Sequence, residues 1–401
     1  MMNTFTSKNK IDLTSILLIL TIFTKELFTV IISSFMVDLF AYIFFILYFL
    51  LNLKTLFISS KYIVVLTIWL FTSIVSSIWF NFDSSLVVKQ FVPITIIMLV
   101  CYDILYKRKF KLHAIFQFYV RISYYVAVFG IFQWTLSIFG INFLIKVPGI
   151  LDSIAYEPSH YATIIIPAAV YSIINNGLLN RKSSILLLSL ILTFSLTAYL
   201  VLIVTFLIPR LKLRSIPLIV ISLFIVSISL KYSPKRITER IDSISLYSNT
   251  LSYLDGETNL SVLSFVSNLD VALYSITNNP LFGAGMGGHE GMYQNFFEDS
   301  SFRYHPWYEI NNNSAHSLTI RILSEAGVIG FIAFLFFLFR SYIPKKSLNK
   351  SLNDFHIISL CCISHFLCKT FKLGGYFDYG TPFFFTMLLL NLLMYKYYVK
   401  N

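Results

Sequence analysis

The chain has 401 residues, of which 57% are hydrophobic and only 12% are charged. This composition excludes a soluble globular domain, because a water-soluble fold cannot hide so much apolar surface. The formal net charge of +12 does not indicate a nucleic-acid partner, since the Lys and Arg residues cluster in short loops, as the positive-inside rule expects of cytoplasmic loops. The composition therefore predicts an all-α polytopic membrane protein.

Twelve apolar runs are predicted to cross the membrane as helices, a typical span needing about twenty mostly apolar residues. In chain order the runs are 12–33, 35–53, 62–79, 86–105, 115–139, 159–176, 183–194, 196–208, 215–230, 316–339, 355–371 and 382–396. With twelve spans, both termini are predicted to lie in the cytoplasm, and one large external loop is predicted between the ninth and tenth helices. The first run lacks a small-residue cleavage site, so it is predicted to stay as a membrane helix.

The seventh and eighth runs are separated on the evidence of charge. Together they form one apolar stretch, residues 183–208. Basic residues flank both ends, with Arg181 and Lys182 before the stretch and three more within residues 209–214. Both flanks favour the cytoplasm, so the stretch is predicted to enter the membrane and return, with a turn near Ser195.

The long hydrophilic stretch of the sequence, residues 231–315, is predicted to be a large loop on the outer, periplasmic side. It belongs to a single transmembrane domain, residues 1–401. Within the loop, residues 259–278 are apolar at every third or fourth position, which predicts a helix that lies on the membrane surface.

A histidine stands at the junction of this loop and the tenth apolar run. His316 follows polar residues 311–314 and opens the run, within reach of water, a sugar hydroxyl or a lipid headgroup. An imidazole has an ordinary pKa of about 6.5, so it can accept a proton near neutral pH. The sequence leaves two roles open, a general base or an anchor of the helix at the interface.

Charged residues inside apolar runs are expected to face the bundle interior or a cavity, because they are costly in lipid. Arg321 and Glu325 are four residues apart and can pair on one face of the tenth helix. A structural ion pair and a role in the site both remain open for them. Lys25 and Glu26 indicate either a kink or a lateral opening, and Lys89 is expected to extend to the interface.

Two further groups of polar residues lie beside the predicted outer boundary. Glu157 and His160 stand where an outer loop re-enters the membrane and can line the site beside His316. The candidate cations of the large loop are Arg236, Arg240 and Arg303. A guanidinium offers a bidentate fork suited to a diphosphate, and attraction to anionic lipid headgroups is the alternative.

A glycine-rich segment, residues 279–288, resembles a phosphate-binding loop but lacks the strand–turn–helix setting of a dinucleotide site. Its glycines are expected to allow a tight turn or a close approach of the backbone to a ligand. Cys361, His365 and Cys368 share one helical face at a spacing that suits a metal. Packing of small residues between helices is the favoured interpretation, so no metal site is predicted.

Five short motifs, in this order, resemble the Wzy/WaaL superfamily of O-antigen polymerases and O-antigen ligases. They are Glu-Pro-Ser at 157–159, Ser-Leu-Thr-Ala-Tyr at 195–199, Asn-Pro-Leu-Phe-Gly-Ala-Gly at 279–285, Ala-His-Ser at 315–317 and Glu-Ala-Gly-Val-Ile-Gly at 325–330. The resemblance is carried by residues 146–339, and the layout of apolar runs extends it to the whole chain.

The resemblance implies a metal-independent GT-C type glycosyltransferase without a cofactor, at the outer face of a bacterial cytoplasmic membrane. Its implied substrate is an oligosaccharide on undecaprenyl diphosphate, in contact with membrane lipid. A flippase and a chain-length regulator are candidate partners. His316 matches the position of the family's proposed base, and arginines of the outer loops are held to contact the diphosphate.

Departures from the family pattern bear on the activity. Where many members have Ser-Arg-Gly, this chain has Ser-Leu-Thr at 195–197, and the usual His-Asn is His316-Ser317. An arginine often found ahead of the Asn-Pro-Leu stretch is also absent. The Ser-Leu-Thr turn favours a repeat-unit polymerase, with the diphosphate held by Arg240 or Arg303. A ligase that transfers glycan to lipid A core is the nearest alternative, and a flippase or transporter is the second.

Overall fold

The computed structural model describes residues 11–27, 38–57, 60–80, 82, 84–141, 144, 148–210, 259–345 and 350–400. This part of the chain folds into thirteen α-helices and contains no strand, so the predicted all-α fold is confirmed. The helices are α1 (Leu13–Thr24), α2 (Leu39–Asn52), α3 (Ser60–Trp79), α4 (Ser84–Lys107), α5 (Leu112–Ile138), α6 (Pro158–Asn176), α7 (Arg181–Ile191), α8 (Leu196–Leu207), α9 (Leu260–Asn278), α10 (Gly288–Phe296), α11 (Leu318–Ser341), α12 (Lys350–Phe371) and α13 (Thr381–Lys400). Every predicted run except 215–230, which lies outside the described residues, overlaps one of these helices.

Many of these helices are apolar enough to lie in a membrane, and five of those described are also long enough to cross it. The five segments are Ser85–Lys107, Lys109–Ile138, Leu260–Asn278, Leu318–Ser341 and Asp378–Lys400. The shorter apolar helices are Leu13–Thr24, Leu39–Asn52, Ile63–Trp79 and Leu196–Leu207. The protein is therefore a multi-pass membrane protein, whereas the total of twelve spans and the cytoplasmic termini stay predictions.

The apolar stretch of residues 183–208 is divided into two helices, as its charged flanks predict. α7 ends at Ile191 and α8 begins at Leu196. Ser195 caps α8, because its Oγ accepts a hydrogen bond from the backbone N–H of Ala198 at 3.4 Å. A capping hydroxyl satisfies one of the amides that a helix start leaves unpaired. The Ser-Leu-Thr motif of this chain is therefore a helix start.

The helix predicted within residues 231–315 is present as α9. It packs against α10 and α11, and half of its most apolar stretch is buried inside the protein. Val271 and Ala272 on this helix are fully buried. Part of its apolar face therefore packs within the protein, whereas Leu260, Phe265 and Leu273 are exposed. The spacing of apolar residues in the sequence does not distinguish these two environments. Residues 211–258 lie outside the described part of the chain, and the assignment of 231–315 to an external loop stays a prediction.

The helices α6 and α12 form the centre of the bundle. α6 packs against α5, α7, α8 and α12, and α12 also packs against α11 and α13. Large aromatic side chains that are fully buried at this centre are Tyr119, Tyr161, Phe366, Phe383 and Phe384. Pro158 begins α6, where its missing N–H has no hydrogen bond to lose. The start of α6 and the loop after α12, residues 372–380, meet beside the candidate site.

α11 is interrupted at Gly327, whose φ of 63° and ψ of −164° are not helical. The glycine-rich segment fills this interruption. The carbonyl of Ser324 accepts a hydrogen bond from the backbone N–H of Ala284 at 2.8 Å, and the N–H of Val328 donates to the carbonyl of Pro280 at 2.9 Å. Buried backbone groups need such partners. The segment that resembles a phosphate-binding loop therefore stabilises a break in a helix of its own chain.

Candidate active site

A cavity of about 550 Å³ lies where the start of α6, the start of α11 and residues 372–379 converge. We call it the polar cavity. The ionisable side chains that line it are Lys25, Glu26, Lys89, Glu157, His160, His316, Arg321, Lys372 and Asp378. Its volume is within the range of small-molecule pockets, about 300–1,000 Å³. A sugar with its diphosphate falls in this size class, and the cavity brings four of the predicted site residues together.

His316 lies in the polar cavity on a strained backbone. Ala315 and His316 both have positive φ values, 53° and 56°. Such values are uncommon for residues other than glycine, Asn, Asp and His, so the strain of this turn lies at Ala315. The carbonyl of His316 accepts a hydrogen bond from the N–H of Leu373 at 2.7 Å, and Ser317 caps α11 by accepting from Ile320. Residues held in sparsely populated backbone conformations cluster at functional sites. The turn therefore supports a role for His316 beyond that of a helix start.

Side chains of α9 contact the imidazole of His316. It is only 7% exposed, and its Nδ1 lies 2.8 Å from the Oγ of Ser264. The side-chain amide of Asn311 donates to the same Oγ at 2.8 Å, and the ring of Phe265 stands edge-on to the imidazole at 5.7 Å. A hydrogen bond to one ring nitrogen fixes the ring orientation and directs proton exchange to the other nitrogen. Sequence reasoning missed Ser264, since nothing local marks it.

A second histidine, His160, also lines the polar cavity and contacts carboxylates. His160 Nδ1 is 2.8 Å from Glu26 Oε1, and the hydroxyl of Tyr379 donates to the same oxygen at 2.5 Å. Glu26 Oε2 also accepts the backbone N–H of Tyr156 at 2.5 Å. A carboxylate next to Nδ1 orients an imidazole. The structure thus explains Glu26, which the sequence assigned to a kink or an opening.

Glu157 pairs with the loop that follows α12. Its Oε2 accepts a hydrogen bond from Lys372 Nζ at 2.5 Å and lies 3.8 Å from His160 Nε2. Partial burial raises the pKa of the Glu157 carboxyl, but the charges of Lys372 and His160 outweigh it and hold that pKa well below its ordinary value. Glu157 is therefore a carboxylate at neutral pH and ties the start of α6 to residues 372–379.

The predicted pair of Arg321 and Glu325 is present, with Arg321 Nε 3.1 Å from Glu325 Oε1. Arg321 is 5% exposed, and its other nitrogens donate to Gln90 Oε1 at 2.5 Å and to the carbonyl of Gly374 at 3.4 Å. The ring of Tyr376 lies 4.4 Å from the guanidinium carbon. Arg321 lines the polar cavity whereas Glu325 lies behind it. The ion pair therefore orients a cation at the cavity wall, and a role in the site stays a prediction.

Lysines add further positive charge to the wall of the polar cavity. Lys25 lines it and forms an ion pair with Asp378. Lys369 does not line the cavity; it is fully buried and donates to the carbonyl of Gly375 at 2.7 Å. Lys89 lines the cavity, and among the described residues no carboxylate forms an ion pair with it. Sequence reasoning assigned Lys89 to the interface, because a lysine near the end of an apolar run usually extends to the headgroups.

Of the loop arginines predicted to hold a diphosphate, only Arg303 belongs to the described part of the chain. Arg303 is exposed in a short 3₁₀ turn, Ser301–Tyr304, and donates to the carbonyl of Glu298 at 3.5 Å. It is not among the residues that line the polar cavity. Arg236 and Arg240 lie outside the described residues. Of the predicted arginines, the structure thus places Arg321 in the cavity and Arg303 outside it.

The described residues contain no group of three or more His, Cys, Asp and Glu side chains that could hold a metal. His365 instead bonds to its neighbours, with Nε2 3.2 Å from the Oγ1 of Thr381 and Nδ1 3.3 Å from the carbonyl of Thr163. The histidine of the Cys361–Cys368 face is therefore engaged in contacts between helices.

His289 gives the fold a pH dependence that can be measured. It is 2% exposed, and its Nε2 lies 2.9 Å from Asn268 Oδ1. Burial, and next the charge of Arg321, lowers the pKa of His289 to about 3. In the unfolded chain the imidazole titrates near its ordinary pKa of about 6.5. Stability is thus fully present above about pH 6.5 and falls by about 1.4 kcal/mol per pH unit as the pH drops toward about 3.

We therefore expect the purified protein to unfold at a lower temperature at about pH 5.5 than at about pH 7.5, because only the unfolded chain gains the proton. His289→Gln keeps an amide that can bond to Asn268 and removes the titrating group. Its unfolding temperature should fall less than that of the wild type over the same pH step. Equal falls in the two proteins would show that His289 is not the source.

Residues 183–335, from α7 into α11, match the family model Wzy_C, described as O-antigen ligase. The matched segment is somewhat less than half of the chain, and it includes Ser264, His316 and Arg321. No match was found among curated proteins. The family match confirms the resemblance to the Wzy/WaaL superfamily and indicates a glycosyltransferase-like membrane enzyme that acts on lipid-linked sugars.

Proposed function

We propose that this protein is a polysaccharide repeat-unit polymerase of a bacterial cytoplasmic membrane. It transfers a glycan from undecaprenyl diphosphate onto a second lipid-linked repeat unit at the outer face. The observation that carries the proposal is the strained turn that holds His316 in a cavity lined by cations. The family match to residues 183–335 supports the same chemistry.

His316 acts as the general base in this proposal. A hydroxyl of the acceptor repeat unit attacks the anomeric carbon of the donor glycan, and its proton passes to Nε2, because Nδ1 is directed at Ser264. The new bond joins the acceptor oxygen to that carbon. The bond from the carbon to the carrier's phosphate oxygen breaks, and undecaprenyl diphosphate leaves with the electron pair. Base catalysis of this kind typically contributes about two to four powers of ten in rate.

We assign Arg321 and Lys89 to binding the leaving diphosphate. Arg321 is oriented by Glu325 and Gln90 before any ligand arrives, and a preorganised cation stabilises charge that develops in the transition state. Lys89 adds a second positive charge at the cavity wall. This assignment differs from the expectation for Arg240 and Arg303, since Arg303 does not line the cavity.

His160 is assigned to substrate positioning in the same cavity as His316. Its contact with Glu26 orients the ring, and an imidazole N–H can donate to a phosphate or to a sugar oxygen. Glu157 lines the same cavity and accepts a hydrogen bond from Lys372. We therefore assign Glu157 to the orientation of neighbouring residues, and not to removal of the proton from the attacking hydroxyl. In this proposal His316 transfers the proton and His160 binds the substrate.

The second candidate is an O-antigen ligase that transfers finished glycan to lipid A core, and the description of the matched family favours it. The two activities differ in what accumulates without the enzyme. A strain that lacks a polymerase accumulates single repeat units on the carrier lipid, whereas a strain that lacks a ligase accumulates full-length polymer there.

Deleting the gene should therefore leave single repeat units on the carrier lipid, and restoring the wild-type gene should bring back the polymer ladder. Electrophoresis of surface glycan and of lipid-linked glycan from the same cells measures both pools. Full-length polymer on the carrier would assign the ligase activity instead. An unchanged ladder in the deletion strain would contradict both candidates.

A further inference from the structure

A buried lysine that the proposed mechanism does not use lies beside the polar cavity. Lys369 stands in the last turn of α12 and is 0% exposed. It does not line the cavity, whereas Gly375, whose carbonyl accepts its hydrogen bond at 2.7 Å, does. Taking an ammonium out of water is costly, and replacing buried ionic groups by apolar side chains is often neutral for stability. A fully buried lysine therefore points to a role other than stability alone.

Lys369 is not the ion-pair partner of Asp378. Within the described residues Asp378 pairs with Lys25, and the hydrogen bond of the Lys369 ammonium goes to the neutral carbonyl of Gly375. The ammonium also lies 5.8 Å from the centre of the Tyr379 ring. These two contacts join the end of α12 to the loop of residues 372–380, which leads into α13.

The neighbouring residues of this loop contact both groups of α11 that the proposed mechanism uses. The N–H of Leu373 donates to the carbonyl of His316 at 2.7 Å. The carbonyl of Gly374 accepts a hydrogen bond from Arg321 at 3.4 Å, and the ring of Tyr376 lies 4.4 Å from the guanidinium carbon. A displacement of this part of the loop therefore disturbs the base and the cation together.

The loop fits closely against the turn that holds His316. Leu373 has a φ of 75°, a value that such a side chain rarely adopts. A Cβ added to Gly374 would overlap the carbonyl oxygen of Ser314. Strained backbone persists only where its surroundings fix it. The hydrogen bond from Lys369 is one of these constraints, and it comes from a fully buried position.

We propose that Lys369 is a positioning residue for glycosyl transfer. Its ammonium fixes the carbonyl of Gly375 and thereby holds residues 373–376 against His316 and Arg321. This inference rests on the proposed function, and it assigns Lys369 to the alignment of the base and the cation with the substrate. Groups that meet a reacting atom tolerate little displacement, since a shift of about 1 Å can cost about a hundredfold in rate.

Lys369→Met removes the donor and keeps an unbranched side chain. It should lower the kcat of transfer by about tenfold to a hundredfold, while KM changes by less than about threefold, because Lys369 does not line the cavity that binds substrate. Lys369→Arg keeps a charged donor and should recover most of the loss. Should Lys369→Arg fail to fold, Lys369→Gln, whose amide still donates, must be faster than Lys369→Met. The rates are measured with purified full-length protein in vesicles that contain lipid-linked repeat units.

Lys107→Met is the matched control. Lys107 donates to Asp103 at 2.8 Å, Asp103 is 0% exposed, and neither residue lines the polar cavity. This variant should unfold at a lower temperature and keep a kcat near that of the wild type. A Lys369 that only stabilised the end of α12, where a cation is favourable by itself, would give the same result in Lys369→Met. That result would overturn the proposal.

Hydrogen exchange separates this inference from the proposed function, because it involves no sugar. In Lys369→Met the amides of residues 373–376 should exchange about tenfold faster, since a hydrogen bond that limits local opening is lost. Lys107→Met should leave their exchange unchanged. Unchanged exchange in Lys369→Met, or an unchanged kcat beside a wild type that transfers sugar, would overturn the positioning role alone. Faster exchange in a protein that transfers no sugar would uphold the contact of Lys369 with the loop and overturn the polymerase.

Discussion

His316→Ala lowers the rate of glycosyl transfer by about two to four powers of ten, the usual contribution of a general base. The variant keeps its fold, because the buried Ser264 still accepts a hydrogen bond from the side chain of Asn311 at 2.8 Å. The rate is measured with purified protein in lipid vesicles, as lipid-linked repeat units convert to longer chains. Thermal unfolding of the same samples reports the fold.

His305→Ala is the control for this experiment. His305 belongs to the same segment of the chain but does not line the polar cavity, and its Nδ1 accepts the N–H of Trp307 at 3.1 Å. It should retain most of the wild-type rate. Near-normal transfer by His316→Ala would contradict the assigned base, and so would an equal loss in both variants.

Gly327→Ala destabilises the protein by about 2–5 kcal/mol, from positive-φ strain and overpacking together. At this position an added Cβ would lie 2.5 Å from the carbonyl oxygen of Leu281 and 2.7 Å from the N of Gly283. Both contacts are to backbone, so neither can move aside without separating the glycine-rich segment from α11. The expected result is a large fall in unfolding temperature or in the yield of folded protein.

Gly177→Ala isolates the packing part of this effect. Gly177 has a φ of 80° and a ψ of 164°, close to the backbone conformation of Gly327, but an added Cβ meets nothing within 4 Å there. It therefore carries the strain of a positive φ without the clash. If the two variants lose the same stability, the close approach of α11 to residues 281–283 does not matter for folding.

Much of the helical layout was predictable because it depends on local properties. Apolar runs and charged flanks placed eleven of the twelve predicted runs on described helices, and the charges around 183–208 predicted the turn before Leu196. The interruption of α11 was not predictable, since residues 325–330 contain no proline. It depends on hydrogen bonds to Ala284 and Gly285, more than forty residues away.

The candidate site was only partly predictable for the same reason. His316, His160 and Arg321 were identified because polar residues at the ends of apolar runs are informative by themselves. Their partners were not, since Glu26 reaches His160 from 134 residues away and Gln90 reaches Arg321 from 231 residues away. A charge in an apolar run indicates an interior position, but only the packing of helices shows which charges meet.

The central claim is that this chain alone forms glycosidic bonds in the polar cavity. Its most direct test is to reconstitute the purified protein in vesicles with lipid-linked repeat units and no other protein, and to separate the products by size. We predict a ladder of longer lipid-linked glycans together with released carrier diphosphate, both absent with His316→Ala. Repeat units that cross the bilayer but never lengthen would contradict the claim and would assign the protein to transport.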